Sequence, residues 1–216
     1  MNNIEVFRDP FIIKINNCFG NKTERSIFKE ALENRHNFNS ATINNNGEGV
    51  IDEGIRKNLS CYYDEVYSQD RTKSILLESI MELFRSSIFR NIMSSSQLPF
   101  CDFYKTNHHE TQVSRYGDES DFYRWHVDSL DAGIRKMTFV YYFGDTDYEG
   151  GEIKFSTSPI SDGQLIEKDN KTHTFKPETD TGFIFAANVA HTVLPTKSSI
   201  DFEKGRFSVN CWIGEA

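Results

Sequence analysis

The chain has little cysteine: four residues in 216, at Cys18, Cys61, Cys101 and Cys211, with no CxxC pair. That scarcity excludes a disulfide-dense scaffold and gives no structural zinc site, leaving the four as small buried hydrophobes. Basic residues are short as well, 24 Lys and Arg against 32 Asp and Glu, for a formal net charge of −8. Such a balance offers a phosphate backbone no footprint, so no nucleic acid is expected as a partner. No apolar run approaches the roughly eighteen residues of a membrane span. The opening MNNIEVFRDPF is charged at Glu5, Arg8 and Asp9, where a signal peptide is apolar. The expectation is a cytoplasmic protein with no membrane partner. Internal repeats and linkers are missing too, which leaves one domain, 1–216, as the reading.

What the chain does have is aromatic bulk: eighteen Phe and nine Tyr, which favour strands. Near the start, Asn21 followed three residues later by Glu24 has the form of a capping box, and Ile27, Phe28, Ala31 and Leu32 recur at helical spacing, predicting a helix over 22–35. Residues 36–54 are rich in Asn and Gly and read as a loop. From Asp70 to Ser94 the positions Ile75, Leu76, Ile80, Leu83, Phe84, Ile88 and Ile92 follow a 3.6-residue period, predicting one long amphipathic helix. After Pro99 short runs of β-branched and aromatic residues alternate with turn clusters, as expected of about eight antiparallel strands. Helices first and strands afterwards imply an α+β protein, its long helix covering the outer face of a curled sheet or barrel. Residues 1–100 are then helical support with N-terminal strands, and 101–216 carry the chemistry.

His126-Val127-Asp128 follows an aromatic strand, Phe122-Tyr123-Arg124-Trp125. Residues two apart on a strand share a face, so one imidazole and one carboxylate can grip a single cation. Alone the pair is a weak signal, since short motifs recur by chance. Its companion is His191, beside the apolar strand Thr181–Ala186. Two imidazoles and one carboxylate make the facial triad of non-heme Fe(II) oxygenases. Downstream, alternation on the last strand sends Phe207, Val209, Cys211 and Ile213 to one face and Arg206, Ser208, Asn210 and Trp212 to the other. A guanidinium turned into a barrel is costly unless an anion meets it, and its planar fork suits a carboxylate. Likewise Thr138, Val140 and Tyr142 share a face, so the Tyr142 hydroxyl can join Arg206.

Other polar groups receive plainer readings. His36, His108, His109 and His173 read as surface residues, and Arg124, Arg135 and Lys136 as solvated charges near strand ends. Gly150-Gly151 reads as a turn or bulge, since no helix follows to make a phosphate cradle.

Taken in order, Gln112–Gly117, His126-Val127-Asp128, Val140-Tyr141-Tyr142, Glu149-Gly150-Gly151-Glu152, His191-Thr192-Val193-Leu194-Pro195 and Arg206-Phe207-Ser208 resemble the prolyl 4-hydroxylase branch of the Fe(II)/2-oxoglutarate-dependent dioxygenases. The resemblance spans most of the chain and implies a double-stranded β-helix, the jelly-roll or cupin-like barrel. It implies that His126, Asp128 and His191 bind Fe(II), that Arg206 and Tyr142 hold the distal carboxylate of 2-oxoglutarate, and that Ser208 and Tyr116 add hydrogen bonds. Trp212 is similar to a pocket wall, and Ile51–Asn58 to the segment preceding the barrel. Relatives place their basic residue closer to the distal His, whereas Arg206 follows His191 by fifteen positions, so Lys197 and Lys204 stand as fallback anchors.

The activity implied is O2-dependent hydroxylation of a C–H bond, with succinate and CO2 as co-products and L-ascorbate as an accessory. A protein or peptide substrate containing proline is the first choice, and a free amino acid or other small molecule the second. A nucleic-acid demethylase of the same superfamily would carry a second Arg where Trp212 stands. From other classes, a zinc hydrolase using the same three ligands, or a non-catalytic binding barrel, stays open.

Overall fold

The computed structural model describes residues 3–45, 48–87, 89–91, 108–117, 120–129, 135–161, 163–166 and 171–215. The chain starts as a hairpin, β1 (Asn3–Phe7) and β2 (Ile12–Asn16). Helix α1 (Asn21–Glu33) follows, with Ile27 and Ala31 buried. The capping box does not form: Gly20 is the N-cap, and the buried Glu24 instead accepts through its carboxylate from the Gly144 N–H at 2.7 Å. The Asp180 carboxylate takes over at this helix start, accepting from the Phe19 and Gly20 N–H groups at 2.8 Å each.

Residues 36–54 are more ordered than a loop. They hold β3 (Asn39–Ser40) and a small hairpin, β4 (Ile43–Asn45) with β5 (Glu48–Val50). Composition misleads here because Asn and Gly are weak strand formers that a short hairpin still tolerates. Next come β6 (Arg56–Lys57), β7 (Leu59–Tyr62) and a single turn, α2 (Tyr63–Val66). The expected long helix is shorter: α3 runs Ile75–Arg85, with the Ser74 hydroxyl accepting from the Leu77 N–H. It breaks at Ser86, whose ψ of 152° is extended; residues 87 and 89–91 are helical again, with the Ser86 hydroxyl accepting from the Phe89 N–H at 3.1 Å, and the expected continuation past residue 91 lies outside the described residues. Cys101 also lies outside them, while Cys18, Cys61 and Cys211 are buried free thiols.

The second half brings β8 (His108–Tyr116), β9 (Asp121–His126), β10 (Arg135–Phe143), β11 (Glu149–Gly150), β12 (Ile153–Ser156), β13 (Ile160–Ser161), β14 (Gln164–Leu165), β15 (Thr172–Phe175), β16 (Thr181–Ala186), β17 (Ala190–Lys197) and β18 (Arg206–Gly214). Eight of these have four residues or more. One sheet has the order β1-β2-β16-β10-β18-β8-β7-β3, and a second has β15-β12-β17-β9-β6 with β11 on β17. All described pairings are antiparallel, and among the described residues the two sheets share no strand and close no barrel. The N-terminal strands are therefore part of the sheets, not only props for them.

Alternation divides the large sheet into two chemistries. Met137, Phe139, Tyr141, Phe143, Val209, Cys211 and Ile213 face outward and join Ile27, Ala31, Leu76, Ile80 and Phe84 of the two helices in one buried cluster. Each large side chain buried there contributes about 1.5–3 kcal/mol, which is what holds the helices on the sheet. The inward residues Val140, Tyr142, Phe183 and Phe185 meet Ile153 and Phe155 of the second sheet in a smaller cluster. Inward residues that are polar have nowhere to go but the space between the sheets.

Phe139 is fully buried and its ring meets Phe19, Phe84 and Tyr141. Truncating Phe139→Ala should cost about 3–5 kcal/mol of unfolding free energy in urea titration, while a loss under 1 kcal/mol would mean the helix layer is not what stabilises the sheet.

Candidate functional site

Pairing of β9 with β17 sets His126 directly opposite His191. Just past the end of β9, the Asp128 N–H donates to the Ala187 carbonyl at 2.8 Å, which turns the carboxylate back toward both rings. Nε2 of His126 lies 4.0 Å from Oδ1 of Asp128, and Nε2 of His191 lies 3.7 Å from Oδ2. All three ligand atoms fall within 4.8 Å of one another, comparable with the width across one ion bound at about 2.0–2.2 Å. Sequence placed these three together, and the fold brings them together.

The second atoms of each group are already committed. Nδ1 of His126 is 2.8 Å from the Arg124 carbonyl, and Nδ1 of His191 is 2.9 Å from that of Val189. A carbonyl only accepts, so both Nδ1 atoms carry the proton and both Nε2 lone pairs point at the gap. Burial first, then the neighbouring His191 and Arg56, hold His126 well below its ordinary pKa, which keeps the ring neutral. The Thr138 hydroxyl donates to Oδ2 of Asp128 at 2.5 Å and fixes the carboxylate rotamer. Thr138 was missed as a site residue although it shares the inward face with Val140 and Tyr142. The donor set, two imidazoles and one anchored carboxylate, fits a divalent first-row metal ion.

Arg206 enters the same cavity from β18 and is only 1% exposed. Its guanidinium lies between the rings of Tyr116 and Tyr142, at 4.7 and 4.8 Å, so the aromatic faces carry part of its charge. Its Nε donates to the Gly151 carbonyl at 2.9 Å, and its Nη atoms donate to the Ser208 hydroxyl at 3.4 Å and the Tyr142 hydroxyl at 3.2 Å. Accepting from Arg206 leaves the Tyr142 O–H free to donate, and burial keeps that phenol protonated well above its usual range. No carboxylate among the described residues lies within 4.0 Å of Arg206. Lys197 and Lys204, the fallback anchors, are exposed, and Lys204 pairs with Asp201 at 3.3 Å. The long connection before Arg206 is pinned by Arg115, which donates to the carbonyls of Asp201 and Phe202 at 2.9 and 3.2 Å.

Gly150-Gly151 is the expected irregular turn, with φ of +75° and +71°. A Cβ on Gly151 would sit 2.6 Å from Cδ of Arg206, so the close approach of this backbone is what seats the guanidinium. Trp212 lines the cavity, and its buried Nε1–H has no partner among the described residues. Arg135 lies 3.9 Å over that indole and is paired with Glu110 at 2.6 Å, so it is not simply solvated. His108 lines the cavity, and His109 is half-buried near Phe84, so neither is the surface residue expected. His36 and Arg124 are exposed as expected, while His173 is half-buried against Phe7. Metal triad and Arg206 share one cavity of about 780 Å³.

A search of protein-family models finds no match to this chain, and a search of curated proteins finds none. Solved structures do match. A prolyl hydroxylase from Trichoplax adhaerens, in complex with a hypoxia inducible factor peptide fragment, superposes with a TM-score of 0.69 at 16% identity, over 94% of this chain and 83% of that one. A prolyl-4-hydroxylase from Pseudomonas putida gives a TM-score of 0.64 at 19% identity, over 95% and 92%. The fold is that of the Fe(II)/2-oxoglutarate oxygenases. An oxidoreductase of the 2OG-Fe(II) oxygenase family from Burkholderia pseudomallei has it too, with a TM-score of 0.57 at 14% identity over 94% and 84%. The double-stranded β-helix expected from the sequence is therefore present as two facing sheets.

Thr138→Val should weaken Co(II) binding about 10–100-fold, read by titration of the metal's visible bands, because it frees Asp128 without removing it. Unchanged affinity would show that the hydroxyl does not hold the ligand.

Proposed function

We propose that this protein is an Fe(II)- and 2-oxoglutarate-dependent dioxygenase that hydroxylates a C–H bond, of peptidyl proline in the first instance. One observation carries the reading: a three-ligand metal pocket and a buried Arg206 with no carboxylate partner among the described residues open into the same cavity. A metal pocket alone suits many hydrolases. A guanidinium inside it that no carboxylate among the described residues answers calls for a carboxylate from a ligand.

When bound, Fe(II) with 2-oxoglutarate and O2 supplies oxidative decarboxylation to succinate and CO2 coupled to hydroxylation of the substrate. The chain's own contribution is placement. His126, Asp128 and His191 would hold the metal on one side, leaving its other side open. Arg206 would grip the distal carboxylate with its free N–H groups, and the Tyr142 O–H would donate a further bond. Tyr116 stacks on the guanidinium and Ser208 accepts from it, so both keep it aimed. Phe155 and Phe185 pack against His191 at ring separations of 6.1 and 4.9 Å, excluding water from that flank. Trp212 offers an indole N–H from the cavity wall.

For the substrate, the likeness to a hydroxylase in complex with a peptide fragment supports a peptide, and the prolyl hydroxylases among the matches support proline as its target. Residues 1–100 and 101–216 are read as one unit, since β1, β2, β6 and β7 complete the sheets. We include L-ascorbate as the accessory reductant and a cytoplasmic setting in the same proposal. No described helix is long and apolar enough to cross a membrane. The acidic balance of the chain speaks against a nucleic-acid substrate.

Protein loaded with Fe(II) should form succinate from 2-oxoglutarate only in the presence of O2, with a mass gain of one oxygen on a proline-containing peptide. Arg206→Gln should raise KM for 2-oxoglutarate by about 30-fold or more, as loss of one partner of a buried charge pair does. Oxygen-independent turnover, or activity with Zn(II) alone, would point to a hydrolase, and 2-oxoglutarate binding without succinate to a non-catalytic barrel.

A further inference from the structure

Three arginines line the cavity, and they differ in what answers their charge. Arg206 awaits the co-substrate under the reading above. Arg135 is taken, since its Nε and one Nη donate to the same Oε2 of Glu110 at 3.1 and 2.6 Å. Arg56 is neither. It is 5% exposed, and every partner it has is neutral. Its Nε donates to Oδ1 of Asn58 at 2.7 Å, one Nη to the Thr42 carbonyl at 3.3 Å, and the other to Oε1 of Gln112 at 2.7 Å and the Ser114 hydroxyl at 3.3 Å. Neutral acceptors satisfy N–H groups but cancel no charge, and a buried cation without a counter-ion is costly.

No carboxylate among the described residues lies within 4.0 Å of this guanidinium. Glu48, the acidic side chain on the hairpin at the same cavity, is exposed. A second donor lies beside Arg56: Nε2 of Gln112 is buried with no partner among the described residues. Its assignment follows from Arg56, which only donates and so must face the amide oxygen. Position matters as well. The guanidinium lies 4.7 Å over the Tyr123 ring, and that ring stacks on His126 at 3.5 Å and 14°. Arg56 therefore stands one aromatic ring beyond a candidate metal ligand.

With Fe(II), Asp128, Arg206 and doubly charged 2-oxoglutarate in place, those charges cancel, and Arg56 is the cation left over. We propose that the primary substrate brings a carboxylate to Arg56. This rests on 2-oxoglutarate occupying Arg206. The carboxylate is either an Asp or Glu side chain beside the target residue of a peptide, or the α-carboxylate of a free or C-terminal amino acid.

The test is a binding measurement on the protein loaded with Mn(II) and 2-oxoglutarate, without O2. Labelled proline peptides with Asp or Glu on either side of the proline are compared with their Asn and Gln versions, and free proline is compared with its amide. One acid should bind about 30-fold or more tighter than its neutral isostere, and the pair that shows the gap identifies the source. Arg56→Gln should erase the gap and Arg56→Lys should keep part of it, which a purely structural role would not produce. The proposal is overturned if no carboxylate probe binds, if wild-type acid and isostere bind within threefold, or if the preference survives Arg56→Gln. Should Arg56→Gln fail to fold, the wild-type comparison decides by itself. Absent succinate formation with a retained acid preference would sink the dioxygenase reading and leave this one standing.

Discussion

Everything in the site hangs on the pairing of β9 with β17. His126 and His191 are neighbours because those two strands run antiparallel and, across an irregular ladder, still set these two residues opposite each other; a slip of one residue at that point would turn either ring out of the gap. Asp128 joins them because its own backbone N–H is tied to Ala187, at the end of a strand in the other sheet. The metal pocket is thus built across the two sheets. Anything that separates the sheets takes the pocket apart.

The large sheet is held from outside. Helices α1 and α3 cover its outer face with a continuous apolar cluster, and that cluster fixes which way each inward side chain must point. On β18 the consequence is strict: four apolar residues face the helices, and Arg206, Ser208, Asn210 and Trp212 face the cavity. A guanidinium placed there with no acidic partner among the described residues costs stability that the flanking aromatic rings offset only in part, and an anionic ligand would offset the rest. Gly151 adds to the same end, since only a residue without Cβ lets the backbone carbonyl approach Arg206. Arg56 repeats the pattern on the other side of His126. The cavity therefore gathers two buried guanidinium groups around a cluster of three candidate metal ligands.

Much of this was legible in the sequence because it is local. The spacing of His126 and Asp128, and the alternation that puts Arg206 and Tyr142 inward, follow from a two-residue period that needs no knowledge of partners. Thr138 was legible by the same rule and was passed over because a Thr on an inward face looks like filler. What escaped depends on distant partners. Arg56 has no reading of its own within Ile51–Asn58, because the partners that bury it, Gln112 and Ser114, come from the distant β8. Hairpin β4–β5 hides in an Asn-rich stretch, and the end of α3 at Ser86 hides in a periodic pattern that continues past it. The fifteen-residue gap before Arg206 looked like a departure, but Arg115 holds the extra residues from below and leaves the register of β18 intact.

The most direct test of the central claim is an anaerobic titration of Fe(II) followed by visible absorption, with and without 2-oxoglutarate. A charge-transfer band that needs both the metal and the keto-acid, saturates at one Fe(II) per chain and vanishes in Asp128→Ala is the predicted result. A band that persists in that variant, or none at all in the wild-type protein, would contradict it.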